Sequence, residues 1–347
     1  MVRKIKKESA LALTLALMLT ALAVLPGTVH GADAIDTTND ECSVTFDLSD
    51  TTFAELTGAD ALPVTVNLYR VASVSENGRY TAEAPYQTAL EGLDDVNDRT
   101  SAEEWQKMAE AAAKIVKPEG EDGTSAGGVQ TTAWTTGLTE GKGTITGDSS
   151  DPLLPGLYLA LAEPVESSLY RYTFQPALVA LPGNRYYETG TDAWVYDVTV
   201  GLKPQRENRL GSLVIEKTID TYQPRGEADR ILFVFQVEVR KTEEGAAGPE
   251  ERLYYSNVVA LDFDAAGTKS LEIPGLPAGA VATVTEVYSG VSYTIPAGEA
   301  TVRSEPVAAD GRVSVSFTNQ YNGSLSGGSG VVNHFAYDGS TWQPDFQ

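Results

Sequence analysis

The sequence predicts a mainly β chain of two tandem domains, with one amphipathic helix inserted in the first. Three observations predict it: apolar and polar residues alternate with period two from residue 43 onward, a single stretch of helical period covers residues 101–116, and a polar, Pro-containing segment after residue 203 separates two alternating regions. At 347 residues the chain can fill two domains of ordinary size, each with its own core. A hydrophobic content of 42% is too high for a disordered polymer. A formal net charge of −23 argues against binding a phosphate backbone, so nucleic acid is excluded as a partner.

Residues 1–31 read as a signal peptide. Arg3, Lys4, Lys6 and Lys7 precede an apolar run over residues 10–25, and Pro26-Gly27 leads into small residues ending near Gly31. The run is shorter than the ~20 residues that a spanning helix needs. The leader's four basic residues and Glu8 sum to +3, so its removal takes −23 to −26. The mature protein is expected outside the cell, secreted or held at the surface. Export makes the cysteine count informative, because small secreted domains commonly use cystines as staples. One Cys excludes an internal disulfide and a Cys-rich zinc site. Cys42 is open to four readings: a small residue at a strand edge, a free thiol, an intermolecular disulfide partner, or half of a thioester with Gln130. With His30 in the leader, His334 stands alone, and mechanisms needing two histidines are excluded. Neither a metal nor a cofactor is expected, and enzymatic turnover has little to carry it.

The first domain spans residues 32–203. Val44, Phe46 and Leu48 share one strand face, and Val64, Val66 and Leu68 share another. Ser101 and Glu104 form a capping box. Trp105, Met108, Ala109, Ala112, Ile115 and Val116 follow at helical spacing, with Pro118 beyond. This helix is expected on the rim of a sheet, followed by a surface loop over 119–128. Strands resume at residues 156–161, 173–181 and 194–202. Residues 204–210 read as a linker. The second domain, residues 211–321, has strands near 212–219, 231–240, 280–288 and 312–321 and no helical period, which predicts a β-sandwich. Residues 322–347 read as a flexible Gly/Ser linker and a tail containing Phe335, Tyr337, Trp342 and Phe346.

Three polar residues in the second domain fall on apolar strand faces. Lys217 shares parity with Leu213, Ile215 and Ile219; Asn319 continues the face of Val313, Val315 and Phe317; Glu286 follows Ala282 and Val284. Their strands are candidates for neighbours. Burying a lone charge is costly, so such groups pair, shift their pKa values or react. A buried Lys–Glu ion pair with Asn319 as a turn cap is the plainer reading. The chemical one is that burial favours the neutral, nucleophilic lysine amine, while a buried carboxyl polarises the Asn carboxamide and shuttles protons as ammonia leaves. The product is an intramolecular Lys–Asn isopeptide bond in place of the missing cystine.

These residues lie in segments that resemble the Cna B-type domains of Gram-positive surface proteins and pilins: Gly-Ser-Leu-Val-Ile-Glu-Lys-Thr at 211–218, Leu-Pro-Ala-Gly-Ala-Val-Ala-Thr-Val-Thr-Glu at 276–286, and Val-Ser-Phe-Thr-Asn-Gln-Tyr at 315–321. The resemblance implies Lys217 and Asn319 as the isopeptide pair and Glu286 as its catalytic acid. Residues 43–203 resemble the N-terminal domain of sortase-assembled major pilins in Val-Thr-Val-Asn-Leu-Tyr-Arg-Val-Ala at 64–72, the Ala-rich helix, Pro-Gly-Leu-Tyr-Leu-Ala at 155–160, Tyr-Thr-Phe-Gln-Pro-Ala-Leu-Val-Ala-Leu-Pro at 172–182, and Trp-Val-Tyr-Asp-Val-Thr-Val-Gly-Leu-Lys at 194–203. In that family the last segment is the pilin motif, and Trp194, Val198, Val200 and Lys203 match its spacing, with Gly201 and Leu202 in place of Tyr-Pro. By that match Lys203 attacks the sortase-held end of the next subunit, and its parity opposite Trp194, Val198 and Val200 directs it outward. No internal Lys–Asn bond is expected in the first domain.

Together the resemblances imply two tandem immunoglobulin-like β-sandwiches of Cna B type, the first with the inserted helix. They also imply a structural subunit of a Gram-positive pilus or fimbria-like fibre. Its expected partners are other pilin subunits, a sortase-like transpeptidase and a host surface ligand. The sequence up to Gln347 holds no Leu-Pro-x-Thr-Gly signal, from which the expectation is another attachment route, a truncated sequence, or a tip or minor subunit held by partners. The alternative reading is an adhesin module that binds host protein or glycan through residues 119–155, with Trp134 as its marker.

Overall fold

The computed structural model describes residues 34–96, 100–116, 134–184, 193–224, 230–245, 248–290 and 292–323, with the backbone of 335–337 and 342–344. The signal peptide, the 119–128 loop, Gln130, His334 and Phe346 lie outside the described residues. The chain is mainly β and divides into two compact units that meet between Arg206 and Glu207, with residues 168–170 belonging to the second. Residues 204–208 of the segment read as a linker form a strand, Pro204–Asn208.

In the first unit, β1 (Ser43–Asp47) runs parallel to β8 (Asp197–Gly201) and antiparallel to β5 (Lys142–Thr146), giving a three-stranded sheet. The second sheet has the order β3 (Tyr80–Ala82), β2 (Thr65–Val74), β6 (Gly156–Ala162), β7 (Ala177–Leu181), and β4 (Trp134–Gly137) also pairs with β2. Pro176 ends the strand expected over 173–181, because proline cannot donate to a ladder; β7 begins after it. Along β6 the run Gly156-Leu-Tyr-Leu-Ala-Leu161 is buried at every position. A strand covered on one side alternates; one covered on both reads as a continuous apolar run. Helix α1 (Ala102–Val116) provides the second cover. Trp105, Ala109 and Ala112 pack with Tyr69, Val71, Leu157, Leu159 and Leu161. The helix therefore covers a sheet face, and the expected rim position is corrected: a stripe holding a tryptophan finds more apolar area on the face than at the edge. Val66, Leu68 and Tyr158 on the opposite face are buried as fully as Val44, Phe46, Ile145 and Val198 of the three-stranded sheet.

The second unit is a sandwich of two four-stranded sheets. One has the order β12 (Gly267–Pro277), β9 (Leu210–Ile219), β16 (Arg312–Tyr321), β14 (Tyr293–Thr294); the other has β11 (Gly248–Phe263), β10 (Ile231–Gly245), β13 (Val281–Tyr288), β15 (Thr301–Arg303). Leu213, Ile215 and Phe317 from the first sheet and Phe235, Val237, Val239 and Val284 from the second share one core. Phe235 and Phe317 meet across it with ring centroids 5.1 Å apart. Strands β9 and β16, first and last, are parallel neighbours. At the head of β9 the pairing shifts register between Gly211 and Ser212. A Cβ on Gly211 would lie 2.2 Å from the Ala308 carbonyl oxygen, so only glycine fits there. Beyond the sandwich, Phe335–Tyr337 pairs antiparallel with Trp342–Pro344. No described helix is long and apolar enough to cross a membrane.

Candidate functional site

Period-two alternation along β9 buries Lys217 on the same side as Leu213, Ile215 and Ile219, and along β16 it does the same for Asn319 after Val315 and Phe317. In the parallel register Lys217 stands opposite Phe317 and Ile219 opposite Asn319, so Lys217 and Asn319 are diagonal neighbours on the core face. Glu286 comes from β13 in the facing sheet, where it stands opposite Phe235, and so reaches across the sandwich. It is not on a neighbouring strand, as the sequence reading allowed. Lys217 and Asn319 are 0% exposed and Glu286 is 3% exposed.

The Glu286 carboxyl connects the other two side chains. Its Oε2 accepts from Lys217 Nζ at 2.8 Å, and its Oε1 accepts from Asn319 Nδ2 at 2.6 Å. Asn319 Nδ2 also lies 3.4 Å from the Ser289 carbonyl oxygen, whereas Asn319 Oδ1 is buried with no hydrogen-bond partner among the described residues. Lys217 Nζ sits 4.7 Å from the centroid of the Phe233 ring, which packs edge-on against Phe263 and Tyr293. Burial lowers the Lys217 pKa from its ordinary 10.5, and the neighbouring Glu286 only partly opposes this. The result is a dry amine and a carboxamide held at the two oxygens of one carboxyl. The sequence carries no local signal for Phe233 or Ser289, which come together through long-range pairing.

A second lysine is buried in the same unit. Lys241 is 3% exposed and follows Phe233, Phe235, Val237 and Val239 at inward parity on β10. That parity is its sequence signal.

The pilin-like segment lies in the first unit. Val198 is buried opposite Val44, Val200 is half-buried opposite Phe46, Trp194 is half-buried, and Lys203 is exposed. Cys42 is 2% exposed, and its thiol donates to the Asn39 carbonyl at 3.4 Å. Burial, reinforced by Asp197, Asp36 and Asp40, pushes its pKa up to about 12. Trp134 donates its indole N–H to the Asp151 carbonyl at 3.3 Å and packs edge-on against Tyr158, so its side chain serves packing within the unit. Among the described residues no three His, Cys, Asp or Glu side chains gather as metal ligands.

A family model described as a domain of unknown function (DUF5979) matches residues 213–322, and no curated protein matches. Solved structures to which the chain is similar include pilins of Gram-positive bacteria and a pilus-presented adhesin. The minor pilin GBS52 of Streptococcus agalactiae is 14% identical, over 83% of this chain and 99% of that one, with a TM-score of 0.24. The major pilin SpaA of Corynebacterium diphtheriae is 13% identical, over 81% and 100%, with a TM-score of 0.25. The adhesin Spy0125 is 15% identical, over 69% of this chain and 46% of that one, with a TM-score of 0.23. Likenesses of this size leave function to be argued from the residues.

Proposed function

We propose that this chain is a structural subunit of a pilus or fimbria-like fibre on a Gram-positive cell surface, stabilised by an isopeptide bond between Lys217 and Asn319 that Glu286 catalyses. The observation that carries this reading is the single buried carboxyl touching both the Lys217 amine and the Asn319 amide nitrogen. A buried ion pair is ordinarily completed by further hydrogen bonds to its remaining lone pairs and protons. Here the third partner is a carboxamide whose oxygen is left unpaired, at a cost of about 1–3 kcal/mol. An amide in that state has no oxygen hydrogen bond to lose when it reacts.

The chemistry balances within the trio. Lys217 Nζ, as the free amine that burial favours, adds to Asn319 Cγ, and the Cγ–Nδ2 bond breaks. Glu286 takes the proton from Nζ on Oε2 and delivers one to the departing Nδ2 from Oε1, so one ammonia leaves. A dry pocket protects the intermediate from water.

Lys203, exposed at the end of the pilin-like segment, is proposed as the amine through which a sortase-like transpeptidase joins subunits. Intact-mass measurement of the denatured chain tests the internal bond: the expected mass is short by ammonia, and Glu286→Ala restores the ammonia lost at Lys217. An unchanged deficit in that variant removes Glu286 from the chemistry. For the linkage, covalent ladders formed with the cognate transpeptidase are expected to vanish on Lys203→Ala; ladders that persist assign the role to another lysine.

A further inference from the structure

The second buried lysine of the sandwich also rests on an asparagine. Lys241 Nζ donates to Oδ1 of Asn208, at the end of the strand Pro204–Asn208, and lies 4.2 Å from the centroid of the Tyr170 ring. Its stem passes against Gly279, where an added Cβ would come within 3.8 Å of Lys241 Cε. The Asn208 side chain also hydrogen-bonds the Tyr254 phenol. With Oδ1 taken by Lys241, the amide nitrogen is the Asn208 atom left to donate to it. Tyr254 in turn donates to Glu243 Oε1.

A β-bulge makes this cluster possible. The β10–β11 pairing shifts register between Val239 and Arg240, which leaves Tyr254 as the extra residue of β11. Bulges re-aim side chains in this way and are common beside reactive sites. The arrangement repeats the logic of the Lys217 site with different parts. A buried amine meets the carboxamide oxygen, and the carboxamide nitrogen leads through a phenol to a carboxylate.

We propose that Lys241 and Asn208 form a second self-catalysed isopeptide crosslink, with Tyr254 as its proton donor and Glu243 as the residue that positions Tyr254. The proposal uses the chemistry of the Lys217–Asn319 bond and none of its residues. Nζ, as the free amine, adds to Cγ of Asn208. Nδ2 thereby changes from a non-basic amide nitrogen into a basic amine and takes the Tyr254 proton. The proton released by Nζ returns to the Tyr254–Glu243 pair, the Cγ–Nδ2 bond breaks, and one ammonia leaves. One amide replaces another and no electrons change hands. The product fastens the strand by which the chain enters this unit to β10.

The test is mass spectrometry of the purified chain. After denaturation and trypsin, cleavage at Arg206, Arg209, Arg240 and Arg252 is expected to yield one branched species, residues 207–209 joined to residues 241–252 with the loss of one ammonia, because trypsin does not cut after an acylated lysine. Free peptide 242–252 in place of the branched species overturns the proposal. Intact masses separate the two crosslinks. Two ammonias lost, or one lost that survives Lys217→Ala, supports the Lys241 bond; one lost that disappears in Lys217→Ala overturns it and leaves the first bond standing. Where Lys217→Ala does not fold, the tryptic map of the unaltered chain decides. Tyr254→Phe keeps the ring and removes the donor, so the branched species is expected to fall at least tenfold at a fixed time after folding; an unchanged yield removes Tyr254 from the chemistry.

Discussion

Lys217 is the residue at which burial and chemistry are most tightly joined, and its protonation makes the coupling measurable. In an Asn319→Ala variant the proposed crosslink at Lys217 has no partner to form with, and the lysine stays buried with its pKa lowered from 10.5 by desolvation. Between that lowered value and 10.5 the unfolded chain binds more protons than the folded one, so stability rises with pH across this window and levels off above it. Urea titrations from neutral pH upward are expected to show that rise in Asn319→Ala and to lose it in Asn319→Ala/Lys217→Met, where no amine remains. Equal slopes in the two variants would place the titrating group elsewhere. In Glu286→Ala the amine loses its ion-pair partner as well as its proposed catalyst. An unpaired buried charge costs about 3–5 kcal/mol, which makes this the most destabilising single change expected at the site. Cys42 is the opposite case. With its pKa pushed up to about 12, almost no thiolate exists at neutral pH, and alkylation of the folded chain by iodoacetamide is expected to be negligible until denaturant exposes the thiol. Rapid native labelling would contradict the buried position.

Helix α1 shows how far a local pattern carries. The Ser101 hydroxyl accepts from the Glu104 backbone N–H at 3.2 Å, and the Glu104 carboxylate accepts from the Ser101 backbone N–H at 2.7 Å, so the capping box read from spacing is present. Ser101→Ala is expected to cost about 1 kcal/mol by urea denaturation, and a change within error would mean that tertiary packing alone holds the helix start. The helix, its cap and its apolar stripe were legible because they depend on residues within one or two turns. Its position on the sheet face was not, because that depends on which strands lie beneath it. The same division runs through the second unit. The inward parity of Lys217, Asn319 and Glu286 is a property of single strands. That Lys217 and Asn319 lie on parallel neighbours while Glu286 reaches over from the other sheet is a property of pairings roughly 70 to 100 residues apart, which alternation does not encode. Strand β11 escaped the sequence reading for another reason. It is an edge strand exposed along most of its length, and only Val259, Leu261 and Phe263 at its end alternate into the core, a run too short to mark the whole strand. Lys241 was legible by parity, but the bulge that brings Tyr254 beside Asn208 was not.

For the second unit as a whole, the consequence of the proposed Lys217–Asn319 bond is mechanical. The chain enters the sandwich along β9 and leaves along β16, and because these strands are parallel neighbours, tension between residues 210 and 321 shears one against the other. Without a covalent link the hydrogen bonds of that pair must hold together, and once they fail the intervening strands unravel. With it, force arriving at β9 crosses from Lys217 to Asn319 and leaves along β16, so the roughly hundred residues between carry no load. The link also limits the unfolded ensemble. By analogy with a disulfide closing a loop of that length it is worth about 4.7 kcal/mol, so the bond acts on equilibrium stability as well as on extension. Single-molecule stretching of the chain separates the two cases. The unaltered chain is expected to show no extension from residues 218–318 at any force short of covalent rupture. With both links removed, in Glu286→Ala/Lys241→Ala, a step of about 340 Å is expected, the contour of ~100 residues at ~3.4 Å each; in Glu286→Ala alone the proposed Lys241–Asn208 link keeps residues 208–241 closed, and the step is about 265 Å. A step of either size in the unaltered chain would mean that Lys217 and Asn319 remain separate side chains and that the buried carboxyl between them is an ion-pair partner only.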